Sequence, residues 1–591
     1  MPFANRPHET DLRSMSSRRR VCLVLCFLVG FAVLLFRFFD LQVLQADTMT
    51  EKARRQHEKT VTLDSSRGAI FDRQGKPLAL NRDVSSVYAT PTAIERPQRV
   101  ARQLAQVLGV PRAPLEKRLR ADREFVWVKR KIPDASSERV RGLALPGVDT
   151  VLEARRFYPK GTLLAHVLGF AGIDSQGLEG VEHGYDQHLR GVVRRVVLHR
   201  DALGHVIIPE ERPMPQGLSG HAVHLTIDEV IQYIAEQALE RAVRDTRARG
   251  GVILVMDPST GEILAWTIRP TFDPNHIQRA SPERWRNRAI TDPYEPGSTL
   301  KVFLAAAALA LNHMQPDTLL YAGDGGVPIQ GTVIHDHGTG GWVTFRQAIQ
   351  HSSNVAFVKL SLALGEEPVY RFLRAFGFGE KTGIDLPGES VGILRKPAQW
   401  SRRTLPSLAI GQEIAVTPLQ LTTAMSAVAN GGWLMRPFLV REISDYRGRS
   451  VWKQSPRIRR RPIEAGIART VTDLLVNVVE HGTGRRAAIP GYRVAGKTGT
   501  AQKVDPSTGS YSSTRSIGSF VGFVPAEDPK FAVLVVIDEP QGPAWGGVVA
   551  APVFREVAEQ ALRYANVAPS RDSRMITASK ETPDPDGSRS N

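Results

Sequence analysis

Cysteine is almost missing from this chain of 591 residues. There are two, Cys22 and Cys26, and both sit inside the single long apolar run near the N-terminus. Everything beyond that run can form no disulfide and hold no cysteine-ligated metal. Histidine does not fill the gap. One metal-like cluster occurs, "HDH" at His335 to His337, whose outer members would share a face on a strand. No third ligand is in view, so the segment reads as a polar hairpin, with no metal and no cofactor implied. Acidic residues are also short: 60 Asp and Glu against 77 Lys and Arg leave a formal charge of +17. An excess of this size suggests an anionic partner. Nucleic acid is the usual one, but the compartment argues against it.

The compartment is read from "SSRRRVCLVLCFLVGFAVLLFRFFDLQ". An arginine cluster precedes an apolar run from Val21 to Phe36, short of the roughly 20 residues a span needs. Arg37 can snorkel to the outer interface, and Phe38 and Phe39 complete the length. No small-x-small cleavage site follows, since Ala46 is matched by Leu44. The run is therefore expected to stay as an anchor. Arg18, Arg19 and Arg20 hold the tail in the cytoplasm, and everything after residue 40 lies outside. There a basic surface faces anionic lipid or other external anionic polymer, or is simply a solvated face.

Residues 1–20 are then a cytoplasmic tail, 21–39 a transmembrane anchor and 40–60 a polar stem. A first external region, 61–220, opens with "RGAIFDRQGKPLAL", a hairpin reading around Arg73 to Lys76, followed by helical periods such as "PQRVARQLAQVLGV". Pro and Gly accumulate over 208–220 and mark a boundary. The second region, 221–565, begins with a hairpin, "GGVILVMDPSTGEILAWTI". Three late strand candidates lie in "YRVAGKTGTAQKV", "SIGSFVGFVP" and "FAVLVVIDEP". An amphipathic helix, "APVFREVAEQALRYA", closes it. With helices filling the middle, the expected class is α+β, a sheet with a large helical part. Residues 566–591 are rich in Ser, Asp, Pro and Lys and read as a disordered tail.

Chemistry is suggested by "YEPGSTLKVFLAAAALAL", residues 294–311. Its helix is apolar nearly all round, as in a protein core, yet its first turn carries Ser298 and Lys301. A buried lysine is costly without a task or partner. Residues i and i+3 share a face, so the amine can stand against the serine hydroxyl, which needs a base to become a nucleophile. Burial against Val302, Phe303 and Leu304 would lower the lysine's proton affinity, and so would a second cation. In "QHSSNVAF", Ser352 and Asn354 are placed on the first turn of another helix. The hydroxyl there can relay a proton while the amide orients substrate and lysine. In "VAGKTGTAQK", Lys497 supplies the second cation, and Thr498 and Thr500 supply hydroxyls. Gly499 would let a substrate backbone approach, and an edge strand can bind a peptide by strand addition. Two decoys share parts of these patterns: Ser450 with Lys453 in a polar stretch, and Lys381-Thr382-Gly383 in a glycine-rich one.

Ser-x-x-Lys, Ser-x-Asn and Lys-Thr-Gly in this order are the signature of penicillin-binding proteins and serine β-lactamases. Over nearly its whole length the chain resembles the class B penicillin-binding proteins. "RGAIFDRQGKPLA", "RRFYPKGTLLAHVLGF" and "QGLEGVEHGYDQHLRG" are similar to that family's N-terminal pedestal, or dimerisation-type, domain. "NRAITDPYEPGSTLKVF", "HGTGRRAAIPGYRVAGKTGTAQ" and "GSFVGFVPAEDPKFAVLVVIDEP" are similar to its transpeptidase domain. The wording of "ITDPYEPGST" and "FVGFVPAEDP" is most like the septal, FtsI-like branch.

The resemblance implies a penicillin-binding, β-lactamase-like transpeptidase fold, with an antiparallel sheet and helices, behind an elongated pedestal and one transmembrane helix. It implies that Ser298 attacks the penultimate D-alanine of a peptidoglycan stem peptide, with Lys301 as base. Ser352 would relay the proton and Asn354 would orient. Lys497, Thr498 and Thr500 would hold the terminal carboxylate, and the N–H groups of Ser298 and Thr500 would form the oxyanion hole. Implied partners are stem peptides, β-lactams, division-complex membrane proteins and a glycosyltransferase, at the division site of the inner membrane. An elongation-type transpeptidase, a β-lactamase or β-lactam sensor, and a non-catalytic scaffold are the rival readings. The pedestal matches argue against a free-standing hydrolase.

Overall fold

The computed structural model describes residues 10–63, 66–191, 194–200, 206–207, 219–323, 325–329, 331–336, 340–505 and 507–570. Contacts divide the chain into one unit of 1–65 with 192–218 and another of 66–191 with 219–591.

In the first unit the apolar run folds as a helix, Thr10–Phe39, that begins upstream of Val21 and continues as a π-helical segment, Asp40–Leu44. Its apolar side chains from Val21 to Phe39 are exposed on all sides, the pattern of a helix made for an apolar surround. Arg19–Leu44 is the one helix among the described residues long and apolar enough to cross a membrane. Arg37 does more than snorkel: it donates to Asp40 at 2.5 Å, so its charge is paired at the end of the apolar stretch. Beyond it come a helix, Ala46–His57, and a sheet of Glu58–Leu63, Arg194–Arg200 and Val206–Ile207. The Pro- and Gly-rich segment 208–218 lies outside the described residues, as does 571–591 of the expected tail.

In the second unit, the expected hairpin around Arg73 to Lys76 forms between Ile70–Phe71 and Pro77–Ala89. These strands join a seven-stranded sheet with Val126–Ile132, Val148–Phe157, Ala222–Leu225, Val440–Ser444 and Ser450–Lys453. The pedestal and the later region therefore share one sheet. A buried ion cluster knits the pedestal itself together. Glu182, fully buried, accepts from Arg67 Nε at 2.5 Å and Arg156 Nε at 2.6 Å, and Arg67 also donates to Asp186. Asp385, from the later region, accepts from the pedestal's Tyr185 hydroxyl at 2.9 Å.

The central sheet explains the long apolar runs. Strands Gly250–Met256 (β1), Ile263–Arg269 (β2), Ala495–Val504 (β3), Tyr511–Val524 (β4) and Phe531–Asp538 (β5) are antiparallel throughout, in the order β2-β1-β5-β4-β3. Side chains alternate between faces, and here both faces are covered. Val252, Leu254 and Met256 pack on one side with the core of the helical part, whereas Ile253 and Val255 pack on the other. Burial on both faces removes the polar alternation of a half-exposed strand. The helices are Glu229–Asp245 (α1), Lys301–Ala310 (α2), Asn354–Leu364 (α3), Pro418–Ala429 (α4), Ala465–His481 (α5) and Ala551–Tyr564 (α6). α1 and α6 cover the second face, and α2 to α5 build the core against the first. β3 is left as an edge, with Lys497 to Thr500 in its first half.

Candidate active site

Three chain segments meet at this edge. The first is a 3₁₀ turn, Gly297–Leu300, which runs directly into α2. Gly297 has φ +57°, and a Cβ there would lie 2.6 Å from the Thr500 carbonyl oxygen. Only glycine meets both conditions cheaply. The turn is thereby pressed onto β3. Ser298 in the middle of it is half-buried, whereas Lys301, one turn on, has no exposed surface at all.

Lys301 stands one turn after Ser298, and its hydrogen bonds go to another segment. Its Nζ donates to the Ser352 carbonyl at 2.6 Å and to Asn354 Oδ1 at 2.7 Å, with Ser352 Oγ at 3.3 Å. A fully buried amine takes the strongest acceptors in reach, and these belong to the second segment. The Phe357 ring closes the pocket, 5.6 Å from the amine.

In that second segment the expected placement needs a correction. α3 begins at Asn354, and its N-cap is Ser353, whose hydroxyl accepts from Ala356 N–H at 3.0 Å. Ser352 precedes the helix, in the left-handed region at φ +59°. Bulky residues rarely adopt this conformation, and it aims the carbonyl and hydroxyl of Ser352 at the lysines and away from the helix end. Asn354 is fixed on its other side. Its Nδ2 donates to the His335 carbonyl at 2.9 Å, and its backbone N–H donates to Asp336.

The third segment is β3. Lys497 is fully buried, and its Nζ lies 3.0 Å from Ser352 Oγ and 3.2 Å from the Thr498 carbonyl. One hydroxyl thus stands between two amines. Burial pushes Lys497 down to about 7. Lys301 is held well below the usual lysine range, first by burial and then by the charge of Lys497, with Asp336 acting in the opposite sense. The two causes expected from the sequence, an apolar surround and a second cation, are both present. Thr498 Oγ1 shares a hydrogen bond with Thr483 Oγ1 at 2.9 Å, and Thr500 Oγ1 accepts from Gly546 N–H at 3.2 Å. Gly499 has a further reason beside the one expected. A Cβ there would lie 2.5 Å from Ser519 Oγ and 2.8 Å from the Pro296 carbonyl. Its small size serves the packing of β3 against the Ser298 turn.

The decoys fall elsewhere. Ser450 and Lys453 lie on an exposed strand. In the second decoy, Thr382 and Gly383 enclose the chain's own Glu389, which accepts from Thr382 N–H at 2.6 Å and Gly383 N–H at 3.1 Å. Asp336 and Thr483 are the site neighbours not singled out from the sequence for these contacts. Asp336 was seen only as the middle of "HDH", whose hairpin reading matches the paired strands Gly326–Ile329 and Thr332–His335. His337 lies outside the described residues. Among the described residues no group of three His, Cys, Asp or Glu is placed to hold a metal.

Comparison with known proteins finds similarity over both regions of the chain. The family model of the penicillin-binding protein transpeptidase domain matches residues 251–559, and that of the penicillin-binding protein dimerisation domain matches 62–225. The chain is 35% identical to stage V sporulation protein D of Bacillus subtilis over 95% of this chain and 88% of that protein. It is 33% identical to the peptidoglycan D,D-transpeptidase FtsI of Escherichia coli, covering 92% and 91%. Among solved structures it is similar to penicillin binding protein 3 of Mycobacterium tuberculosis in complex with ampicillin. The TM-score is 0.67 at 28% identity, with 87% of this chain and 98% of that one covered.

Proposed function

Since the chain belongs to the class B penicillin-binding proteins, a family of peptidoglycan D,D-transpeptidases, we propose that it cross-links stem peptides through an acyl-enzyme on Ser298. The observation that carries the reading is the convergence at the Ser352 corner of Lys497, Asn354 and Lys301, the last of which stands one helical turn after Ser298.

Neutral Lys301 takes the Ser298 proton as Oγ attacks the penultimate D-alanine carbonyl. The N–H groups of Ser298 and Thr500 receive the developing oxyanion. Ser352 passes a proton from the lysine side to the departing D-alanine amine, which leaves neutral. Lys497, with Thr498 and Thr500, grips the terminal carboxylate, and the charge it carries there lowers the proton affinity of Lys301. A side-chain amine of a neighbouring peptide, entering along the open edge of β3, then attacks the ester and restores the Ser298 hydroxyl. A β-lactam acylates the same serine as its ring C–N bond opens, and the leaving nitrogen stays tethered to the acyl group.

The apolar helix Arg19–Leu44 serves as the membrane anchor, with the arginine cluster inside and the site outside. The wording around Ser298 and in the late strands supports a septal role, with division-complex membrane proteins and a glycosyltransferase as partners. Two experiments test these statements. Ser298→Ala abolishes covalent labelling by fluorescent penicillin while Ser450→Ala labels normally; labelling retained by Ser298→Ala sinks the assignment. A septal enzyme gathers at midcell, and its depletion gives filaments. Round cells and side-wall staining would move it to elongation and leave the chemistry untouched.

A further inference from the structure

Among the described residues, the contacts of the Asp336 carboxylate all go to the start of α3, just after Ser352. Its Oδ2 accepts from Ser353 Oγ at 2.6 Å, and its Oδ1 accepts from Val355 N–H at 3.0 Å and from the Asn354 N–H. Its own N–H is tied back to the Gly325 carbonyl at 2.9 Å, and the preceding carbonyl, that of His335, holds Asn354 Nδ2. Residues 335 and 336 therefore grip Asn354 by backbone and side chain together. This leaves one outcome for its amide: Oδ1 must face Lys301. The same carboxylate fastens Ser353, the residue after the left-handed Ser352, so the turn that aims the Ser352 hydroxyl between the two amines is braced from its C-terminal side.

We infer that Asp336 is a positioning residue for the reaction, setting the Ser352 turn and the Asn354 amide against Lys301. The inference rests on the Ser298–Lys301 reading of the site. An ordinary helix cap would satisfy N–H groups and stop there. Asp336 differs in two ways. Its contacts orient a side chain that touches the base, and it is a charge facing that base. Among the described residues, the groups acting electrostatically on Lys301 are Lys497 from β3 and Asp336 from the end of the 332–335 strand; Ser352, Asn354 and the Phe357 ring also face it and do not titrate. Asp336 favours the protonated amine and Lys497 the neutral one, so each sets the pH at which Lys301 is free to act, in opposite senses.

The test is the second-order rate of acylation by fluorescent penicillin across pH, using the full chain with Ser298→Ala as the blank. Asp336→Ala frees the helix start and should slow acylation by about tenfold to a hundredfold, the cost of a misplaced catalytic group. Asp336→Asn keeps an oxygen for the backbone N–H groups and removes the charge. It should retain part of the rate and move the acid limb of the profile to lower pH, because Lys301 then loses its proton more easily. Asp336→Glu should not move the limb in that direction. Wild-type rates in both Ala and Asn variants would overturn the inference. So would a loss that tracks the melting temperature with the acid limb unmoved, the mark of a cap and nothing more. If Asp336→Ala does not fold, the limb of Asp336→Asn decides alone. Labelling retained by the blank would refute the Ser298 reading instead.

Discussion

Replacing Lys497 by Met should shift the working range of Lys301 upward in pH, and the size of the effect follows from the geometry. The two amines lie 3.3 and 3.0 Å from the same Ser352 hydroxyl. They are therefore no more than about 6 Å apart, and like charges at that separation repel by roughly 3 kcal/mol at an effective dielectric of about 20. Both side chains are fully buried, so solvent screens little of this. Met preserves the unbranched stem and removes the charge. Burial still opposes protonation of Lys301, but the repulsion is gone, and the amine keeps its proton to higher pH. The assay is penicillin acylation as a function of pH. The absolute rate will also fall, because the carboxylate grip is lost, so the position of the acid limb is the readout. Lys497→Arg retains a cation and should leave the limb near its wild-type place with partial activity. An acid limb in Lys497→Met that stays put or moves down would refute the claim that this charge tunes the base.

Further outcomes follow from the same contacts. Lys301→Arg keeps a charge that cannot be shed and should acylate almost as poorly as Ser298→Ala in the labelling assay. Lys301→Met should fold more stably than wild type at acid and neutral pH in a thermal melt. The folded-state proton affinity of Lys301 is depressed, so the wild type bears the full cost of the buried charge below the folded value and recovers as pH rises towards the unfolded one. The advantage of the Met variant should therefore shrink towards alkaline pH. Gly499→Ala should cost about 1–3 kcal/mol of stability by overpacking and slow acylation, since its Cβ presses on Ser519 and on the Pro296 carbonyl beside the nucleophile. Glu182→Ala leaves two arginines facing each other in a buried site and should destabilise by about 3–5 kcal/mol in denaturant unfolding.

The β1–β2 hairpin and the three late strands were legible because continuous apolar runs bounded by turns have few alternatives. Ser298 with Lys301 was legible as a pair because three residues of spacing lie within one helical turn. What local spacing could not supply was the company Lys301 keeps. Ser352 lies 51 residues along the chain from it, and Lys497 lies 145 from Ser352; no periodicity links such distances. That grouping entered the sequence reading as a match to a signature of motifs, and its physical content, one hydroxyl between two buried amines, came only with the fold. Asp336 was less legible still. Its partners lie 17 to 19 residues on, beyond a short strand and a helix, and nothing about an Asp between two histidines announces a clamp on a helix start. Gly499 shows a third kind of limit: the residue type was noticed, but its further reason, close packing on the Ser298 turn, needs the neighbour's coordinates. The oddity of a lysine heading an all-apolar helix now has a physical account. The same burial that makes α2 a core helix strips the amine of water, so the core itself lowers its proton affinity. If Lys301 is the base proposed above, the fold needs no separate device to make it one, only a second cation and an anchored amide to aim it.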